Sequence, residues 1–121
     1  MIALGLDIGG ANIKAASSDG DSVCRAFAIW QNKHGLLLEL QQLPLLAGTT
    51  PDIVALTMTA ELADCFESKA EGVEFIIRTV AEAFPDSVLR VWMTSGEFAD
   101  PGEAIDLPQL VAAANWHALA T

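Results

Sequence analysis

The stretch Leu4-Gly5-Leu6-Asp7-Ile8-Gly9-Gly10-Ala11-Asn12-Ile13-Lys14 decides the fold. An apolar run from Ile2 ends on Asp7, crosses two glycines and resumes at Ile13 to Ser18. That order reads strand, turn, strand. A Walker loop would need a helix after the turn and a Gly-Lys-Ser/Thr ending, and a dinucleotide fingerprint would also need the helix. Two adjacent glycines allow positive φ and leave no Cβ between the backbone N–H groups and a ligand. Successive N–H groups facing one concavity hold an anion. Asp7, at the carboxyl end of its strand, is a candidate to hold Mg²⁺ or orient a water. Asn12 is a candidate donor to a phosphate oxygen. Lys14, on the same side of its strand as Asn12, adds positive charge. The competing reading is an ordinary hairpin closed by Gly-Gly.

Outward from this stretch, Asp19-Gly20-Asp21 is a turn signal and Ser22 to Ile29 reads as a third strand. Three strands on two short turns make an antiparallel meander. Leu36, Leu40 and Leu43 recur at helical spacing, which predicts a helix over 36–46 with Pro44 near its end. Ile53 to Met58 is apolar apart from Thr57, as expected of a central strand covered on both faces. Ser68-Lys69-Ala70-Glu71 is a capping box. Val73, Ile76, Ile77, Val80 and Phe84 follow at helical spacing, predicting a helix over 69–84. Val88 to Met93 reads as a buried strand and Gly96 to Ala104 as a loop. A last helix is predicted over 107–118, capped by Asp106. Strands are thus expected at 2–7, 13–18, 22–29, 53–58 and 88–93. The whole is one α/β domain over residues 1–121, a mixed five-stranded sheet with flanking helices.

Composition narrows the partners. Apolar residues make up 52% of the 121 residues, and no apolar run has the length of a membrane span. Six Lys and Arg face sixteen Asp and Glu, a net charge of −10, which disfavours nucleic acid and anionic membrane. A phosphate must then be held locally, by backbone N–H groups, one lysine or a divalent cation, and Mg²⁺ is the expected choice. Cys24 and Cys65 lack metal-ligand or C-x-x-C spacing and read as reduced thiols, which points to the cytoplasm.

A second polar cluster is Thr57-Met58-Thr59-Ala60-Glu61-Leu62-Ala63-Asp64-Cys65. It begins at the end of a strand, where α/β sheets place ligand sites. Glu61 and Asp64 are three apart, so a helical turn puts both carboxylates on one face. They are candidates to bind a cation or to act as a general base. The plainer alternative is that Thr59 caps a short helix whose acids favour its N-terminus. Cys65 reads as a packed thiol, Glu67 and Glu71 as solvated helix charges, and Trp116 as packing.

The first stretch resembles the first phosphate loop of the actin/hexokinase/sugar-kinase superfamily, and the meander followed by strand–helix alternation resembles its ribonuclease-H-like lobe. Thr57 to Phe66, Glu71-Gly72-Val73 and Val111-Ala112-Ala113-Ala114-Asn115-Trp116 resemble the hydantoinase/oxoprolinase-related proteins linked to tetrahydromethanopterin-dependent one-carbon transfer. That family includes a methanofuran-biosynthesis enzyme joining a furan-methanol diphosphate to a γ-glutamyl-tyramine unit. The resemblance implies a transferase lobe acting on a small phosphorylated substrate. Gly9, Gly10, Asn12 and Lys14 would bind it, and Asp7, Glu61 and Asp64 would act at the reacting atoms. An ATP-dependent kinase or hydrolase is the alternative, with ATP as the nucleotide. Proteins of this kind are longer and two-lobed, which implies a second lobe or partner chain, without which the lobe is inactive. A third reading is a non-catalytic module that self-associates.

Overall fold

A computed structural model describes residues 1–46, 49–60, 63 and 65–111. The opening stretch folds as a hairpin: β1 (Ala3–Ile8) runs out and β2 (Asn12–Ser17) returns. Alternation sets the two faces of β1. Leu4, Leu6 and Ile8 are buried on one side, while Ala3, Gly5 and Asp7 stay at least partly exposed on the other. β3 (Ser22–Ala26) completes the antiparallel meander. Its turn uses Gly20 at φ +98°, a conformation that favours glycine.

The chain then crosses to the other side of β1. β4 (Ile53–Met58) pairs with it in parallel, matching Leu6 with Leu56 and Asp7 with Thr57. α1 (Leu36–Gln41) and a 3₁₀ turn at Pro44–Leu46 fill the connection. The helix predicted over 36–46 stops at Gln41, since a residue preceding proline is pushed out of the helical region. α2 (Lys69–Ala83) carries the chain to β5 (Val88–Trp92), parallel to β4. Ser68 caps α2 as its sequence predicts: its hydroxyl accepts from the Glu71 N–H at 3.1 Å. α2 buries Val73, Ile76, Ile77 and Val80, the stripe that its spacing predicts.

Among the described residues the sheet has six strands in the order β3-β2-β1-β4-β5-β6, where five were expected. The added strand, β6 (Phe98–Ala99), pairs antiparallel with β5. α3 (Pro101–Asp106) follows directly, so the segment read as a loop over 96–104 holds two elements. The missed signal is Asp100-Pro101-Gly102-Glu103. The Asp100 carboxylate accepts from the Glu103 N–H at 2.8 Å, and Pro101 stands at the first helical position. Asp106 is therefore the last residue of α3 and not the cap of the final helix. α4 (Pro108–Val111) is the described start of that helix, and the rest of the 107–118 prediction, with Trp116, lies outside the described residues. β3 ends at Ala26, three residues before its predicted end.

The helices pack on one face of the sheet, with α2 touching α1, α3 and α4. The core lies between them and the inward residues Leu4, Leu6, Ile8, Val54, Leu56 and Val91. On β4 the outward Ile53, Ala55 and Thr57 are only partly covered. The expectation that this strand is covered on both faces therefore fails for the described residues. No helix among the described residues is long and apolar enough to cross a membrane.

Candidate functional site

β1 and β4 run in parallel, so both strands bring their carboxyl ends to one rim of the sheet. The rim is stitched at that point: the Thr59 N–H donates to the Ile8 carbonyl at 3.0 Å. The Gly-Gly turn stands on this rim. Its carbonyls are engaged, with Asn12 accepting from the Gly9 N–H (2.9 Å), Ala11 from the Phe27 N–H (2.9 Å) and Gly10 from the Ile29 N–H (3.3 Å). No acceptor among the described residues takes the N–H of Gly10 or Ala11. The turn thus turns its carbonyls toward the protein and keeps two donors for something else.

The glycines do not serve by positive φ, as the sequence led us to expect. Among the described residues the positive-φ glycines are Gly20 and Gly96. Gly9 and Gly10 serve instead by lacking a side chain. A Cβ on Gly9 would sit 3.3 Å from the Asn12 carbonyl oxygen and 3.6 Å from Thr59 Oγ1. A Cβ on Gly10 would meet nothing within 4 Å and would stand in open space above the turn. The first glycine is favoured by close approach within the protein. The second is not, which leaves its bare backbone open to a ligand.

Asp7 and Lys14 face each other directly across the β1–β2 pair, with Asn12 two residues along on the same side as Lys14. Directly opposed residues hold their Cβ atoms about 5 Å apart. Burial pushes the Asp7 carboxyl above its ordinary value, and the Lys14 charge pulls it part of the way back. Asp7 enters none of the three ion pairs among the described residues, which are Arg25–Glu39, Lys33–Glu71 and Arg78–Glu74. Its partly desolvated charge is thus only partly offset, by Lys14, which suits a carboxylate that meets a cation. No cluster of three or more metal-ligating side chains exists among the described residues, so a cation here would rest on Asp7 and on oxygens of the ligand.

The structure thus brings together Asp7, Gly9, Gly10, Asn12 and Lys14. Glu61 and Asp64 lie outside the described residues, although Thr59 and Ala60 lead the chain from this same rim. Two threonines join the site that sequence reading did not assign to it. Thr59 lies against Gly9, and Thr57, the register partner of Asp7, holds a buried Oγ1 with no hydrogen-bond partner. The strand–helix alternation does predict that the strand ending at Thr57 pairs in parallel with the first strand and shares its rim, but which side chains this sets against Asp7 and Gly9 is fixed only by the register. Cys24 is exposed and Cys65 half-buried, both as free thiols, and Cys65 packs against the core as expected.

No protein-family model matches the chain. The chain is 42% identical, over 123 aligned positions, to the (4-{4-[2-(gamma-L-glutamylamino)ethyl]phenoxymethyl}furan-2-yl)methanamine synthase of Methanocaldococcus jannaschii. The alignment takes in 99% of this chain but 36% of that protein, so the chain spans a little over a third of the length of the synthase it resembles.

Proposed function

We propose that this chain is the phosphate-binding lobe of a synthase that forms an aryl ether on a furan-methanol unit, a step of methanofuran-type cofactor assembly. The observation that carries the reading is the 42% identity to the M. jannaschii synthase along nearly the whole chain. The product in that enzyme's name contains a phenoxymethyl-furan linkage, and the bond made is taken to be the one between the phenol oxygen and the furan-bearing CH₂. The group leaving that carbon is taken to be diphosphate. The free N–H groups of Gly10 and Ala11, with Asn12 and Lys14 beside them, suit such an anion.

In this reading the phenol oxygen attacks the CH₂ carbon as the carbon–oxygen bond to diphosphate breaks. The electron pair leaves on the diphosphate, and the phenol proton passes to a base. Charge develops on the leaving group, and donors already fixed around it lower the barrier. Bound Mg²⁺ would neutralise diphosphate oxygens. Asp7 would hold that cation from the strand end, and Lys14 would add a further charge. Glu61 or Asp64, the two carboxylates that follow Thr59 in sequence, is the proposed base. The actin/hexokinase-type, ribonuclease-H-like architecture belongs to the same proposal: the meander and the β4–α2–β5 unit are consistent with it. So does a second lobe that closes the site, without which no turnover is expected.

The test is a chimera in which this chain replaces the matched portion of the M. jannaschii synthase. With an aminomethyl-furan-methanol diphosphate and γ-glutamyl-tyramine, it should release ether and diphosphate in equal amounts, dependent on Mg²⁺. Asp7→Asn and Lys14→Ala should each cut turnover by roughly 10²-fold or more. Consumption of ATP without need of the furan diphosphate would show instead a kinase or hydrolase.

A further inference from the structure

β4 is apolar from Ile53 to Met58 except at Thr57. A strand there asks only for a β-branched side chain, and valine would fill the position with the same shape and no polar atom. The Thr57 hydroxyl, by contrast, is held at a cost. Its Oγ1 is shut off from solvent and has no hydrogen-bond partner among the described residues. A buried polar group in that state has lost its bond to water and gained nothing in exchange. The cost is recovered if the hydroxyl bonds a group that is reoriented when a ligand arrives.

The register says which group that is. Thr57 pairs in parallel with Asp7, and Lys14 pairs with Asp7 from the other side, so the three stand in one row across β4, β1 and β2. Register partners share a face, and adjacent strands lie about 4.8 Å apart. A hydroxyl and a carboxylate on such neighbours can meet in one hydrogen bond. Rotation about the Thr57 Cα–Cβ bond exchanges hydroxyl and methyl among staggered positions without moving the backbone. Arg90 does not compete for the carboxylate. It stands beside Ala55 in the row behind, and its Nη1 donates to the Leu89 carbonyl of its own strand at 3.1 Å.

We propose that Thr57 is a positioning residue for Asp7. When Mg²⁺ and diphosphate fill the Gly-Gly turn, its hydroxyl donates to one oxygen of the Asp7 carboxylate and leaves the other aimed at the cation. This rests on the phosphate-binding reading given above and adds to it a residue that touches neither anion nor cation. An aspartate side chain turns about two bonds, and a donor fixed on the neighbouring strand removes that freedom. The bond is charge-assisted, so it is stronger than one between neutral groups.

Calorimetric titration of the 121-residue chain with diphosphate, with and without Mg²⁺, tests this in the parent, Thr57→Val and Thr57→Ser. With Mg²⁺, Thr57→Val should bind roughly 10-fold more weakly, the effect of one lost hydrogen bond to a charged group. Without Mg²⁺, backbone N–H groups and Lys14 hold the anion, and Thr57→Val should bind as the parent does. Thr57→Ser keeps the hydroxyl and should restore most of the Mg²⁺-dependent affinity. Thr57→Val should melt no lower than the parent, since it removes an unpartnered hydroxyl. Thr57→Ala, a second variant without the hydroxyl, should repeat the loss seen only with Mg²⁺. A merely structural role would lower the melting temperature and weaken both titrations alike, which would overturn the proposal. Equal weakening in a fully stable variant would also overturn it, by placing the hydroxyl on the anion. Binding unchanged under both conditions would remove the role of Thr57 and leave the phosphate site standing. A parent chain that binds no diphosphate with Mg²⁺ would remove the site itself, and that role with it.

Discussion

Asp7 is the residue on which the account turns, and its burial gives a testable sign. Its carboxyl pKa is raised in the fold above the unfolded value of 3.8, so the folded state holds the proton more tightly. Stability is then greatest below the unfolded value and falls as pH rises through the folded one. Asp7→Asn removes that penalty. The variant should melt at a higher temperature than the parent at pH 7, and the difference should shrink toward zero as pH falls to the unfolded value. A variant less stable at pH 7 would show that the carboxylate holds its turn together. The two glycines separate structure from binding in the same way. Gly9→Ala pushes a Cβ toward the Asn12 carbonyl and should destabilise by about 1 kcal/mol in denaturant titration. Gly10→Ala meets nothing and should leave stability unchanged or raise it by up to ~1 kcal/mol, while weakening diphosphate binding. That Asp7, Gly9, Gly10, Asn12 and Lys14 gather at one turn was legible in the sequence, because all lie within eight residues of one hairpin. The dihedral role of the glycines was not, because turn geometry depends on which carbonyls the turn must present to Phe27 and Ile29.

At the scale of elements, the pattern was most readable where a local signal and a long apolar period agreed. α2 has both: the Ser68 cap and the Val73–Ile76–Ile77–Val80 stripe. Ser68→Ala should cost about 1 kcal/mol by removing the acceptor of the Glu71 N–H, and Ser68→Asp should recover most of it. Equal stability of the alanine variant would mean that packing alone defines the start of α2. β6 and α3 went unread because each is short and because Pro101-Gly102 looks like a loop until the Asp100–Glu103 cap is noticed. α1 was drawn too long because Leu43 continues the helical spacing of Leu36 and Leu40, although Pro44 had already ended the helix.

For the whole molecule, the strand order and directions followed from the meander and the strand–helix alternation, but the coverage of the sheet did not. An apolar strand such as β4 reads as buried on both faces, and nothing in its composition states which chain supplies the second layer. The phosphate-binding claim, by contrast, concerns this chain alone. It is tested most directly by following its backbone amide resonances while Mg²⁺ and diphosphate are added together. The account predicts saturable shifts largest at Gly10, Ala11 and Asn12, reduced when Mg²⁺ is withheld and lost in Asp7→Asn. Shifts absent from the turn, or concentrated at another place such as the start of α2, would contradict it.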